Sequence, residues 1–186
     1  MQLSPIGWAL RPLKRYAEFS GRSSRAEFWW FTLFYLVVYF VLLIIGFSVS
    51  GSSPTANVGA SPFAMYMGMG GFLIVIVIFW LAIIIPSIAV QIRRLHDTNR
   101  SGWWLGGFWL LYISYMVLTF SMVASVGQQT PGSPPSMGGF AAVGIVAIAF
   151  FGYAIMLLVF WCLRGTQGPN RFGDDPYGAN VEEVFA

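Results

Sequence analysis

The sequence is poor in charge, in cysteine and in histidine. Aspartate, glutamate, lysine and arginine make up only 9% of its 186 residues, while 57% of the residues are hydrophobic. Soluble domains carry about 25% charged residues, and a chain of this length cannot bury most of its apolar surface. The scarcity of charge therefore excludes an ordinary water-soluble globular protein and indicates a protein embedded in lipid.

The few reactive side chains exclude several classes of site. Cys162 is the single cysteine and His96 the single histidine, so an internal disulfide and a zinc centre built from these residue types are excluded. No P-loop and no dinucleotide-binding fingerprint occurs, and the basic residues do not form the extended surface that nucleic acid requires. We therefore expect no cofactor, no metal ion and no nucleic-acid partner.

Long apolar runs are the most abundant feature of the chain. A helix needs about 20 residues to cross a hydrocarbon core about 30 Å thick, and lipid requires that each crossing segment satisfy its own backbone hydrogen bonds. Four runs reach this length, and none contains a charged residue: 28–49, 72–92, 103–126 and 140–163. The sequence therefore predicts an all-α integral membrane protein, a four-transmembrane-helix bundle within residues 28–163.

The charged residues are confined to alternate connections between these runs. Residues 51–71 and 127–139 contain no charge, whereas all ten basic and all seven acidic residues lie in 1–27, 93–102 and 164–186. The positive-inside rule assigns the basic side to the cytoplasm. We therefore predict an N-in/C-in topology, with a polar cytoplasmic cap formed by the N-terminal arm (1–27), the central loop and a turn-rich tail (164–186).

Local signals refine the ends of the predicted helices. Ser24 and Glu27 have the spacing of a capping box, which places a helix start at the membrane edge. The arm before them reads either as a short amphipathic helix on the inner leaflet or as a disordered basic segment. Pro86 removes a backbone hydrogen bond from the second span, and we expect Ser87 to supply a partner for the freed carbonyl.

Three polar strings stand at the ends of the predicted helices: GRSSRAEFW at 21–29, RRLHDTNRSGWW at 93–104, and GTQGPNRFGDDP at 165–176. Together they resemble the signature of the bacterial membrane family catalogued as domain of unknown function 805, and the resemblance covers nearly the whole chain. Phe172 stands where the family commonly has tyrosine. The resemblance implies a small multi-pass protein of the bacterial cytoplasmic (inner) membrane, and it brings no established activity, cofactor or catalytic residue.

These strings would meet on one membrane face, where three interpretations of their polar residues remain open. The arginines can fix topology and touch headgroups, they can pair with Glu27 and Asp97 in a structural network, or with His96 they can hold a phosphate or lipid headgroup. The candidate cap residues are Arg22, Arg25, Glu27, Arg93, Arg94, His96, Asp97, Arg100, Asn170 and Arg171.

The sequence favours a non-enzymatic protein of the lipid bilayer whose cap binds anionic phospholipid headgroups or a protein partner. Ion-coupled carriers usually place an ionisable residue inside a span, and these spans have none. A small-solute transporter or oligomeric channel is the first alternative, and a lipid-headgroup-modifying enzyme using His96 and Asp97 is the second. Because these two neighbours point in different directions, no catalytic residue is assigned. A homo-oligomer or a membrane-protein partner is compatible with this interpretation.

Overall fold

The computed structural model describes residues 3–51, 62–126 and 137–176. Most of the two uncharged connections, residues 52–61 and 127–136, and the last ten residues of the predicted tail lie outside the described residues. The described residues form five α-helices and no strand. The helices are α1 (Pro5–Lys14), α2 (Arg25–Gly51), α3 (Pro62–Asp97), α4 (Trp103–Val126) and α5 (Met137–Cys162).

Four of these helices are long and apolar enough to cross a membrane. The segments that meet this criterion are Arg25–Gly46, Phe72–Asp97, Trp103–Ser125 and Met137–Cys162. The predicted all-α fold with four transmembrane helices is therefore confirmed. The helix α3 begins at Pro62 and ends at Asp97, beyond the predicted span 72–92 at both ends. The difference arises because hydropathy marks the part of a helix that suits lipid, whereas backbone hydrogen bonding continues through the flanking residues.

The N-terminal arm contains a helix that packs against the bundle. Ser4 caps α1, since its Oγ accepts a hydrogen bond from the Gly7 N–H at 3.2 Å, and Pro5 occupies the first turn, where its missing N–H costs nothing. Ala9 and Pro12 are buried, and α1 contacts α2 and α3. The arm is thus an ordered part of the fold, and its helix continues through Pro12.

Two apolar clusters hold the helices together near the charged end. The first contains the buried residues Phe28, Phe31, Ile83 and Val90, from α2 and α3. The second contains Leu95, Leu105 and Leu157, from α3, α4 and α5. Trp161 packs against both clusters, so this α5 residue joins the α2–α3 pair to the α4–α5 pair.

The expected role of Ser87 beside Pro86 is wrong. The carbonyl that Pro86 leaves without its helical donor belongs to Ala82, and the hydroxyl of Tyr16 donates to it at 2.9 Å. The Ser87 Oγ is buried and makes no hydrogen bond within the described residues. The donor that replaces the missing backbone N–H therefore comes from the arm, which is distant in sequence, and not from the adjacent serine.

Candidate functional site

The charged segments meet at one end of the bundle and form a polar cap. We use this name for α1 together with residues 15–27, 93–102 and 163–176. Backbone hydrogen bonds join these segments: the Ser23 N–H donates to the Arg93 carbonyl at 3.1 Å, and the Thr166 N–H donates to the Asp97 carbonyl at 2.9 Å. The start of α2, the end of α3 and the segment after α5 are therefore in direct contact.

The carboxylate of Asp97 lies at the centre of the polar cap. Its Oδ1 accepts from Arg22, whose Nε and Nη2 lie 3.0 and 2.9 Å away, and its Oδ2 accepts from Nη1 of Arg94. All three side chains are at most 1% exposed. Charges buried this deeply require both ion pairing and full hydrogen bonding, because removal from water costs several kcal/mol for each ion.

Backbone carbonyls satisfy the other donors of these two arginines. Arg22 donates through Nη1 to Gly168 at 2.6 Å and through Nη2 to Thr166 at 2.5 Å. Arg94 donates through Nε to Trp161 at 3.0 Å and through Nη2 to Leu163. Each guanidinium thus ties the residues around the end of α5 to Asp97.

Gly165 shows how closely this segment approaches Asp97. A Cβ at position 165 would overlap the Asp97 carboxylate, which the two arginines hold in place. The backbone can pass this close to a buried carboxylate because glycine has no side chain.

A second buried ion pair lies beside the first. Only half of the predicted capping box is formed, since the Ser24 Oγ accepts from the Glu27 N–H at 3.1 Å while the Glu27 side chain turns to Arg93. Glu27 Oε1 lies 3.0 Å from Arg93 Nη1, but the groups are not aligned as a hydrogen bond. Arg11 approaches the other carboxylate oxygen at 3.8 Å. This pair is Coulombic, and it is less completely satisfied than the cluster at Asp97.

His96 and the tail form a third group of contacts. The imidazole stacks on Phe172 with ring centroids 3.9 Å apart, and its Nδ1 lies 3.1 Å from the Gly21 carbonyl oxygen. Asn170 donates to the His96 carbonyl at 3.0 Å, and Arg171 donates to the Asn99 carbonyl at 3.1 Å. Within the described residues no hydrogen bond joins the side chains of His96 and Asp97, and each side chain holds a different segment.

Arg100 packs against an aromatic ring at the other side of the central loop. Its guanidinium lies over the ring of Phe160, 3.9 Å from the centroid, and its Nη1 donates to the Thr98 carbonyl at 3.2 Å. The cation–π contact fixes the central loop to α5.

An exposed ion pair occupies the segment after α1. Arg15 bonds to Glu18 through Nε at 2.6 Å and Nη2 at 2.5 Å. The hydrogen bonds from the Arg15 guanidinium lower the pKa of Glu18 below its ordinary value, and the same hydrogen bonds raise the pKa of Arg15.

The polar cap also contains a pocket of about 370 Å³. Arg25 and Arg164 line it, both exposed, and neither forms an ion pair with another described residue. The other lining residues are Gly165, Thr166, Gln167 and Asp175. The sequence placed Arg25 among the candidates and Arg164 among the basic residues expected on the same membrane face, but it did not single out Gln167 or Asp175 for this site. The residues that line the pocket come together only because the tail folds beside the start of α2. The one feature of the sequence that marks any of the tail residues is the position of Arg164 directly after an apolar run.

Burial divides the ten candidate residues into two sets of equal size. The buried residues are Arg22, Glu27, Arg93, Arg94 and Asp97. The accessible or partly accessible residues are Arg25, His96, Arg100, Asn170 and Arg171. The first set lies in the buried ion pairs, and the second set is accessible to solvent at least in part. Among the described residues, no group of three histidine, cysteine or carboxylate side chains could hold a metal ion.

The chain is similar to known bacterial membrane proteins along most of its length. The family described as "Protein of unknown function (DUF805)" matches residues 16–174. The inner membrane protein YhaI of Escherichia coli K12 is 30% identical over 174 residues, which cover 93% of this chain and 98% of YhaI. The inner membrane protein YhaH of the same strain is 31% identical over 171 residues, or 92% and 97% of the two chains. No solved structure is significantly similar.

The matched region contains the first two polar strings, residues 165–174 of the third, and all four long helices. The identities with YhaI and YhaH extend over nearly the full length of both relatives, so the similarity concerns the whole architecture and not a single motif. The resemblance seen in the sequence is therefore confirmed, and the chain belongs to the DUF805 family as a multi-pass protein of the bacterial inner membrane.

Proposed function

We propose that the polar cap lies on the cytoplasmic face of the inner membrane, with both termini inside, and binds anionic phospholipid headgroups there without catalysing a reaction. The orientation follows from the positive-inside rule, since every basic residue of the chain belongs to the arm, the central loop or the tail.

The observation that carries the proposal is the way burial sorts the charges. Three of the ten basic residues, Arg22, Arg93 and Arg94, are buried and paired with the two buried acids, Glu27 and Asp97. Seven basic residues remain at least partly accessible, against three accessible described acids: Glu18, Asp174 and Asp175. The accessible surface of the described cap thus has an excess of four positive charges, and each basic residue near an anionic membrane surface contributes about 1 kcal/mol.

Exposed tryptophans support a headgroup ligand over a protein partner. Trp29 and Trp30 lie near the start of α2, and Trp103 and Trp104 open α4, all of them exposed. Indole rings concentrate at the level of the headgroups, where one end of the side chain is apolar and the other is wet. Two accessible cations of the cap precede these residues closely in sequence, since Arg25 lies four residues before Trp29 and Arg100 three residues before Trp103, so they lie near the depth of lipid phosphates.

Native mass spectrometry of the detergent-solubilised protein with added phosphatidylglycerol tests the proposal. Replacing Lys14, Arg25, Arg164 and Arg171 by glutamine removes four accessible charges and leaves the buried pairs intact. We expect phosphatidylglycerol affinity to fall at least about tenfold, with an unchanged unfolding temperature. Unchanged affinity in the folded variant would retire the proposal. A reporter fused to the C-terminus tests the orientation, and a periplasmic location would overturn it.

A further inference from the structure

The pocket beside α2 and α5 is held rigidly by the buried cluster beneath it. Arg22 donates to the carbonyls of Thr166 and Gly168, and Thr166 donates to the Asp97 carbonyl through both its N–H and its Oγ1, at 2.9 and 3.1 Å. These bonds fix residues 166–168 against the segment that leads into Arg25. The wall of the pocket is thus positioned by buried side chains, while its own charged groups remain accessible.

The charges that line the pocket are two cations and one carboxylate. Arg25 and Arg164 have no acidic partner within the described residues, and guanidinium groups match the oxygens of a phosphate in a bidentate manner. Gln167 adds an exposed amide that can donate to the same oxygens. A single phosphate group between the two arginines would supply the acceptors that they lack.

Asp175 restricts which phosphate the pocket can accept. Its Oδ2 accepts a hydrogen bond from the Gly168 N–H at 3.1 Å, and an ionised carboxylate accepts further hydrogen bonds but donates none. A phosphomonoester carries a charge of about −2 at neutral pH, so this carboxylate repels it. A phosphodiester carries one negative charge, and a hydroxyl or ammonium group at its far end can donate to Asp175.

We infer that this pocket binds one phosphodiester headgroup whose far end donates a hydrogen bond to Asp175, with the phosphate between Arg25 and Arg164. The inference rests on the proposed headgroup binding and adds a defined site and a chemical selection. The lipid is the source of the diester, because the pocket adjoins the membrane ends of α2 and α5 and the acyl chains can remain in the bilayer.

Matched double variants separate the pocket from general surface attraction. Replacing Arg25 and Arg164 by glutamine removes two charges from the pocket, and replacing Lys14 and Arg171 removes two charges outside it. By native mass spectrometry we expect the first variant to lose at least about tenfold more affinity for phosphatidylglycerol than the second, because charge-assisted hydrogen bonds are lost only in the pocket. Equal losses would overturn the site and leave the proposed surface attraction intact.

Selectivity tests the role of Asp175. The pocket predicts that the wild-type protein prefers phosphatidylglycerol to phosphatidic acid, whose phosphomonoester has no far-end donor. Surface attraction alone predicts the order of lipid charge, with phosphatidic acid first, and that order would overturn the inference. The variant Asp175→Asn should lose the discrimination against phosphatidic acid, and a retained preference would also overturn it.

A water-soluble competitor tests the source of the diester. Glycerophosphoglycerol carries the same phosphodiester and hydroxyls as phosphatidylglycerol but no acyl chains. We expect it to leave bound phosphatidylglycerol in place at equal concentration, since it lacks the membrane contacts. Equal competition would overturn the lipid source. If the wild-type protein bound no anionic lipid at all, that result would instead overturn the proposed function.

Discussion

The half of the bundle next to the polar cap (the charged half) and the opposite half (the distal half) are held together by different interactions. In the charged half, both apolar clusters and the buried ion pairs Arg22–Asp97 and Arg93–Glu27 draw the helices together, and residues such as Leu95 and Leu157 have no exposed surface. In the distal half, large apolar side chains such as Ile44, Phe120 and Ile148 are between 67% and 77% exposed. The same helices thus pack closely at one end and present themselves to lipid at the other.

The contrast shows where a membrane protein needs specific contacts. An apolar side chain gains little by leaving lipid for protein, so the distal halves need no tight core. Charged groups at the membrane edge, in contrast, lose water and must find partners within the chain. The fold of this protein is therefore specified mostly by its polar cap, and substitutions there should cost far more than substitutions in the distal halves.

The largest effect is expected for Asp97→Asn. The change keeps the shape of the side chain but leaves the buried cations of Arg22 and Arg94 without their shared carboxylate. Breaking one partner of a buried ion pair costs about 3–5 kcal/mol, and here two arginines lose it. We expect the free energy of unfolding, measured by titration with sodium dodecyl sulfate in mixed micelles, to fall by at least that amount. The exposed Asp174→Asn is the matched control, and equal stability of the two variants would contradict the central place of Asp97.

The second effect concerns Glu27 and Arg93. Glu27→Gln removes the carboxylate that pairs with the buried guanidinium of Arg93 and that Arg11 also approaches, and we expect a loss of about 3 kcal/mol in unfolding free energy. Replacing both residues by apolar ones, Glu27→Leu with Arg93→Met, should cost less than the single change, because no buried charge remains. A double variant at least as unstable as Glu27→Gln would contradict this expectation.

A third comparison uses two residues of α5. Leu157 is fully buried near the cap, whereas Ile148 is 76% exposed in the distal half. Leu157→Ala should lower the unfolding free energy by about 2 kcal/mol through the cavity it leaves, while lipid fills the space left by Ile148→Ala, with a change below about 0.5 kcal/mol. Equal losses at the two positions would break the contrast between the halves.

A smaller loss of unfolding free energy is expected at α3, where Tyr16 donates to the carbonyl that Pro86 leaves without a donor. Tyr16→Phe removes the hydroxyl that donates to the Ala82 carbonyl and should cost about 1 kcal/mol of unfolding free energy. Tyr39→Phe is the control, since the Tyr39 hydroxyl makes no hydrogen bond within the described residues. Indistinguishable stabilities would mean that Pro86 is accommodated without the arm.

The smallest effect is a pH dependence at Glu18. Because hydrogen bonds from Arg15 lower the pKa of Glu18 in the folded protein, the pair stabilises the fold above the ordinary pKa of glutamate, and this stability is lost as the pH falls through that range. The pair is exposed, so its contribution stays below about 0.5 kcal/mol. Unfolding free energies of the wild type and Glu18→Gln, measured from neutral pH to pH 3, should converge at the acid end. A constant difference would contradict this assignment.

Residue patterns predicted the helices far better than the contacts between them. Segment length and the absence of charge indicated four spans, and the Ser24 cap followed from local spacing. The partner of the Ala82 carbonyl did not, because Tyr16 is 66 residues away along the chain. The sequence also raised the pairing of Glu27 and Asp97 with arginines, but it could not choose among ten basic residues or show that Asp97 is shared by two of them.

The sequence by itself determined the solvent of this protein, its four long helices, its family and the separation of charged from uncharged connections. These properties depend on composition and on order along the chain, because each segment enters lipid according to its own length and hydropathy. Tertiary structure alone decided which arginines are buried and paired with carboxylates, and which two remain accessible around a pocket. Burial depends on neighbours from other helices, since Arg93 and Arg94 are adjacent in sequence yet pair with carboxylates on different elements.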